Sequence, residues 1–233
     1  MNATNQNMES ININVTSELN DNRSSIRLLV SVVLALWFGL VFFLGSRGAF
    51  VGGADSPPLP IFLGLATPLA LFFVAYFGWS AFREFVLNAD LRLVTAIQGW
   101  RWAGLCFLFL HAHGVLPGLF AFPAGLGDMA IGVTAPWILL ALIRDKSFVT
   151  SRRYVIWNLL GILDLTVAVS MGVICSGFIR GLTLTVTTSA MGQLPLVLIP
   201  AYLVPLFIML HFTALSQVRR IIRFGKSMPA KGL

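Results

Sequence analysis

Six stretches of about twenty residues, nearly free of charge, dominate this sequence: roughly 26–45, 61–82, 91–113, 126–143, 154–177 and 195–216. A helix needs about 20 mainly apolar residues to cross a bilayer, so each is long enough to span one. Within lipid the backbone must satisfy its own hydrogen bonds, and a run of this length does so as a helix. Composition agrees: 57% of the 233 residues are apolar and 11% are charged, against the roughly 25% charge typical of soluble domains. The fold class expected is therefore an all-α integral membrane protein, a six-transmembrane-helix bundle. Its domains are a disordered polar tail over 1–25, rich in asparagine, a transmembrane domain over 26–216 and a basic tail over 217–233.

Orientation follows from the cations, because Lys and Arg favour cytoplasmic loops. With the amino terminus inside, every one of the 16 except Arg47, Arg101 and Arg180 falls on the inner side. Both termini are thus expected in the cytoplasm, and the net charge of +7 is a topology signal. Nucleic acid is not a partner on this reading, because the carboxyl-terminal cluster is short and carries no recognition motif. Cys106 and Cys175 lie in apolar stretches and form no CxxC pair, which leaves no redox or zinc motif.

Between the third and fourth spans, residues 114–125 hold no charge, yet glycine and proline recur. Such a stretch reads as an irregular apolar loop, either dipping into the outer leaflet or resting on it. In the sixth span Pro195 can start the helix, whereas Pro200 and Pro205 should bend it.

Few polar groups are left for function. At 1.5 Å per residue, Arg101 and Asp164 both lie about 15 Å from the inner ends of their spans, near the bilayer midplane. There an unpaired charge costs at least about 3 kcal/mol, so the two should pair. Gln98 shares the face of Arg101, and Asn158 lies lower on the fifth helix. Asp128 stands in a small-residue face with Gly125, Gly132 and Ala135, as Asp164 does with Gly161, Ala168 and Gly172; such faces let helices approach closely. Counted from residue 126, however, Asp128 sits only a few ångströms below the outer surface.

His111 and His113 end the third span at that outer level. With Asp128 they have the chemistry of a divalent-metal shell or a proton-handling cluster. Residues two apart on a regular helix point about 200° from one another, so both could face one ion only where Gly114 and Pro117 loosen the helix. His211 falls roughly 24 Å deeper than His111 and joins neither.

Residues 98–137 carry Gln98, Arg101, Gly104, Leu116 with Pro117, Phe120 with Ala121, Pro123-Ala-Gly125, Gly127-Asp128 and Ala135 with Pro136. This stretch resembles one found in uncharacterised polytopic bacterial membrane proteins. The resemblance covers about a sixth of the chain. It implies a multi-pass protein of the bacterial inner (plasma) membrane and carries no activity with it.

Three functions compete. A transporter or channel-like protein for a small solute, ion or proton would use Arg101, Asp164, Gln98, Asn158 and Asp128, with His111 and His113 near its entrance. An outer-leaflet metal-binding protein or enzyme would use His111, His113 and Asp128; it is the only reading with a cofactor, a divalent metal. A non-catalytic membrane partner would use the polar groups only to register helices. The expected partners are the bilayer and a small solute or ion, with homo-oligomer formation left open.

Overall fold

Helix ends in this chain are set by a few capping residues, and the spans run between them. The computed structural model describes residues 3–53, 57–179 and 185–225, with side chains from Ser24 onward. Among these residues there are helices and turns and no strand. Six helices are long and apolar enough to cross a membrane: Ser24–Ser46, Leu59–Gly78, Leu91–Ala112, Gly118–Arg144, Arg152–Ile174 and Ile199–Phe224, taken below as the first to sixth spans. The chain divides into two compact units, Met1–Leu40 and Val41–Leu233. The first is helical from Ala3, within a helix running Ala3–Ser46. This helix takes in residues 3–25 of the polar tail, a stretch without any proline to stop it.

Everything that follows lies in the second unit. Caps fix the ends of its spans near the basic loops. The Asp90 carboxylate accepts from Arg92 N–H at 2.8 Å, and Ser151 Oγ accepts from Tyr154 N–H at 3.2 Å, each occupying an orphan amide of a first turn. Between the fourth and fifth spans, Asp145 accepts from both the amide and the hydroxyl of Ser147 at 2.8 Å. These two bonds hold its carboxyl below the usual range. A short amphipathic helix, Ser80–Leu87, joins the second span to the third and is tied to the sixth. Gln217 Nε2 donates to the carbonyls of Val86 and Ala89 at 3.0 and 2.9 Å, and Arg220 pairs with Glu84 at 2.9 Å.

The expected loop over 114–125 is shorter than its composition implies. The chain breaks only over 113–117 and is helical again from Gly118, with Pro117 as the cap. Pro123 and Pro136 are taken inside the helix. Water rewards glycine-rich, proline-rich loops by hydrating their backbone; a bilayer does not, so helix persists. The same shift occurs in the sixth span. Pro195 lies in the turn before it, and the helix opens with a wide π-type turn, Ile199–Leu203, containing Pro200. Pro205 has no N–H to offer Ala201 four residues earlier, and widening the preceding turn makes room for its ring. This helix then runs to Phe224, into the expected basic tail over 217–233, of which 226–233 lie outside the described residues.

The third span is the irregular one. An α-helical start, Leu91–Ile97, tightens into a 3₁₀ stretch, Gln98–Gly104, before returning to α-helix at Leu105–Ala112. Thr95, Gln98, Arg101, Gly104 and Phe107 are all buried. A spacing of three would wind around an α-helix, whereas three residues per turn stacks it on one line. The tight segment thereby turns a row of polar side chains inward while Trp100 and Trp102 face outward.

Candidate functional site

Arg101 stands midway along the third span with its side chain fully buried. The neighbouring spans come unusually close to it. A Cβ on Gly104 would meet the Gly125 carbonyl at 3.0 Å, and a Cβ on Gly132 would overlap the backbone of Arg101 and Trp102. The third and fourth spans therefore touch backbone to backbone, which the small face of Gly125, Gly132 and Ala135 makes possible.

This approach brings two carboxylates to one guanidinium. Arg101 Nε donates to Asp128 Oδ1 at 2.7 Å, and Arg101 Nη2 donates to Asp164 Oδ2. The pairing of Arg101 with Asp164 is as expected; the depth of Asp128, expected near the outer surface, is a correction. Because the fourth span begins at Gly118, Asp128 lies ten residues in, about 15 Å along the helix, level with the other two. Two more glycines clear space for the cluster. A Cβ on Gly127 would overlap the Asp164 carboxylate, and one on Gly161 would overlap the ring of His211.

His211 completes the shell. Arg101 Nη1 lies 3.1 Å from His211 Nε2 and 3.4 Å from the Gly161 carbonyl. A guanidinium has only donors to offer, so Nε2 accepts and the imidazole proton sits on Nδ1. That N–H faces Asn158 Oδ1 at 2.9 Å, and Asn158 Nδ2 in turn donates to the Tyr154 carbonyl at 2.9 Å. The hydrogen bonds thus select a neutral imidazole. Trp157 lies edge-on to that ring, with centroids 5.7 Å apart, and its Nε1 donates to Thr134 Oγ1 at 2.9 Å. Phe207 supplies a ring face 5.7 Å from the Arg101 Cζ.

Sequence reasoning placed His211 too deep because it began the sixth span at 195. Counted from Ile199, the histidine is twelve residues in, about 18 Å. The partners Thr134 and Trp157, and the contact between Thr95 Oγ1 and the Tyr154 hydroxyl at 3.3 Å, had no signal in spacing alone. Gln98 does reach the site: its Nε2 donates to the Phe207 carbonyl at 3.4 Å. Its Oε1 is the only buried side-chain polar atom without a hydrogen-bond partner among the described residues.

His111 and His113 are not brought to Asp128. His111 Nδ1–H donates to the Leu116 carbonyl at 3.0 Å and His113 Nδ1–H to the Phe109 carbonyl at 2.8 Å, so both brace the turn over 113–117. Among the described residues no three His, Cys, Asp or Glu side chains are placed to share a metal ion. The expected metal set fails because Asp128 is drawn down to Arg101.

Two cavities adjoin the cluster. The larger, about 310 Å³, lies among the second to sixth spans. Leu65, Phe107, Phe120 and Leu165 line its depth, the exposed Val51, Gly52, Gly53 and Ser189 mark its mouth, and among the described residues Asp128 is its one charged lining residue. The smaller, about 160 Å³, is lined by Arg101, Asp128, Trp100 and Phe207 among others. Asp128 and Asp164 keep 14% and 11% side-chain exposure, whereas Arg101 keeps none.

Six apolar spans, with a buried guanidinium shared by two carboxylates inside the second unit, define an all-helical multi-pass membrane protein with a charged cluster at mid-span. The chain belongs to the family described as a domain of unknown function, DUF8737, whose model matches residues 58–219. That range covers the second to fifth spans entirely, most of the sixth, and every member of the cluster. No curated protein and no solved structure matches the chain.

Proposed function

We propose that this protein is a transporter of a small solute or ion in the bacterial inner (plasma) membrane, and that the Arg101–Asp128–Asp164 cluster binds the transported charge. The observation that carries this reading is the charge count. One guanidinium faces two carboxylates, the imidazole beside them is neutral, and the second span offers no charged group. One negative charge is therefore uncompensated at mid-span, where charge is expensive. Such a cluster favours uptake of one positive charge, a proton or a cation, and the cavity that reaches Asp128 provides a route for it. Once neutralised, the cluster no longer resists rearrangement of the helices that hold it. On this reading the basic end of the second unit faces the cytoplasm, where Lys and Arg are favoured, so the larger cavity opens outward. The bent start of the sixth span lies on this cavity through Ile199 and Pro200, and irregular helix beside a solute path is a feature of transporters.

The test is proton movement in proteoliposomes that hold a pH-sensitive dye, challenged in turn with small amines, amino acids and inorganic cations. At least one solute should drive proton movement, and Asp128→Asn should slow it at least tenfold while the loop variant Asp145→Asn leaves it unchanged. If no solute moves protons, or Asp128→Asn matches the parent, the transport reading is lost.

One observation favours a structural role instead. Arg101 is wholly buried and each of its nitrogens has a partner, as in an ion pair that fixes helix register. On that reading, neutralising all three charges together leaves folding and any activity intact.

A further inference from the structure

The side of Asp128 that Arg101 leaves unused faces a cavity of distinct chemistry. Arg101 Nε occupies Oδ1. Among the described residues Oδ2 receives no hydrogen bond, and Asp128 is the only charged residue lining the 310 Å³ cavity. Arg101 does not line it, so among the described residues whatever enters meets a carboxylate and no cation. The depth is walled by carbon: Leu65, Phe107, Phe120 and Leu165 all lie in buried apolar clusters. Hydroxyl groups are confined to the stretch around Ser176, Thr187 and Ser189 near the mouth.

These features exclude most ligand classes. An anion would be repelled by Asp128, and a neutral solute would leave its charge uncompensated. An inorganic cation would demand a shell of several oxygens, where the cavity supplies one carboxylate and hydrocarbon walls. What fits is a positive head on an apolar body, with aromatic rings that also favour ammonium groups. The volume lies at the lower end of the roughly 300–1,000 Å³ of small-molecule pockets, enough for a ligand built on one ring. A lipid ammonium does not suit the site. Headgroups lie at the interface, while Asp128 is about 15 Å along its span.

We infer that the cavity over Asp128 is a binding site for a small organic ammonium ion, its cationic head on Asp128 and its apolar body between Phe107, Phe120 and Leu165. This inference rests on the transport reading only for its physiological purpose; the site itself can be tested by binding alone.

Calorimetry on the purified full-length protein in detergent would compare three probes of one shape: 2-phenylethylammonium, neutral 2-phenylethanol and anionic phenylacetate. The ammonium should bind saturably and at least tenfold more tightly than the alcohol, and phenylacetate should not bind. Asp128→Asn should erase the difference between ammonium and alcohol. Gly172→Leu, which fills the cavity away from the cluster, should abolish both while Asp128 stays intact. Equal binding of all three probes, no saturable ammonium binding, or a preference that survives Asp128→Asn in folded protein would overturn the inference. Saturable, Asp128-dependent binding with no proton movement for any solute keeps the site and removes the transport reading. Asp128-dependent proton movement without ammonium binding removes this inference alone.

Discussion

Arg101 is the residue on which the site turns, because it satisfies two carboxylates, a histidine and a carbonyl at once. Truncating it alone, as Arg101→Met, strands Asp128 and Asp164 in a low-dielectric interior, and breaking a buried pair in this way costs about 3–5 kcal/mol. Replacing all three, with Asp128→Asn and Asp164→Asn added, should recover most of that loss, since uncharged groups need no counter-charge. Thermal unfolding in detergent micelles measures both variants. A triple variant no more stable than Arg101→Met would mean that the guanidinium stabilises the fold by something other than charge compensation. Gln98 differs in kind from its neighbour: it gives one long bond of 3.4 Å and leaves its other polar atom without a partner.

At the scale of elements, the decisive contact is the third span against the fourth. Its closeness depends on glycines whose absent side chains are occupied by a neighbour's backbone. Gly132→Ala would press a methyl group into the Arg101–Trp102 backbone, and overpacking of this kind costs about 1–3 kcal/mol or more. Gly99 in the same 3₁₀ segment has nothing within 4 Å of the place its Cβ would take. Gly99→Ala should therefore stay within about 0.5 kcal/mol of the parent. Unfolding midpoints of the pair separate close packing from a general intolerance of the segment to alanine. If Gly132→Ala were as harmless as Gly99→Ala, the backbone approach would not be what positions Asp128. The gap between the expected and observed start of the fourth span belongs to this scale too: glycine and proline count as breakers in water, yet here glycines sit where a helix must touch another.

Over the whole molecule, charge is sorted twice. Arginine and lysine collect at one end of the bundle, around Arg83, Arg92, Arg144, Lys146, Arg152, Arg153, Arg219 and Arg220, and three charges meet at its middle. If the first sorting sets orientation, a membrane-impermeant maleimide applied to intact cells should label Ser189→Cys and not Ser147→Cys, in a background with Cys106 and Cys175 replaced by serine. Permeabilising the cells should then expose Ser147→Cys. The opposite pattern would put the basic end outside and turn the mouth of the larger cavity towards the cytoplasm.

The sequence by itself determined the class, the number of spans and the partnership of Arg101 with Asp164. Each follows from a cost that any lipid environment imposes: water-free backbone needs helix, and mid-span charge needs a counter-charge. It did not determine which further groups share that depth. Depth is counted from a helix end, and the ends at Gly118 and Ile199 lie eight residues before and four residues after those that composition marks at 126 and 195. Shifts of that size move a side chain by about 6–12 Å along the axis. That is enough to bring Asp128 down to the guanidinium and His211 up to it. Only the tertiary structure settles such ends, because packing of neighbouring helices stabilises a turn that local sequence disfavours.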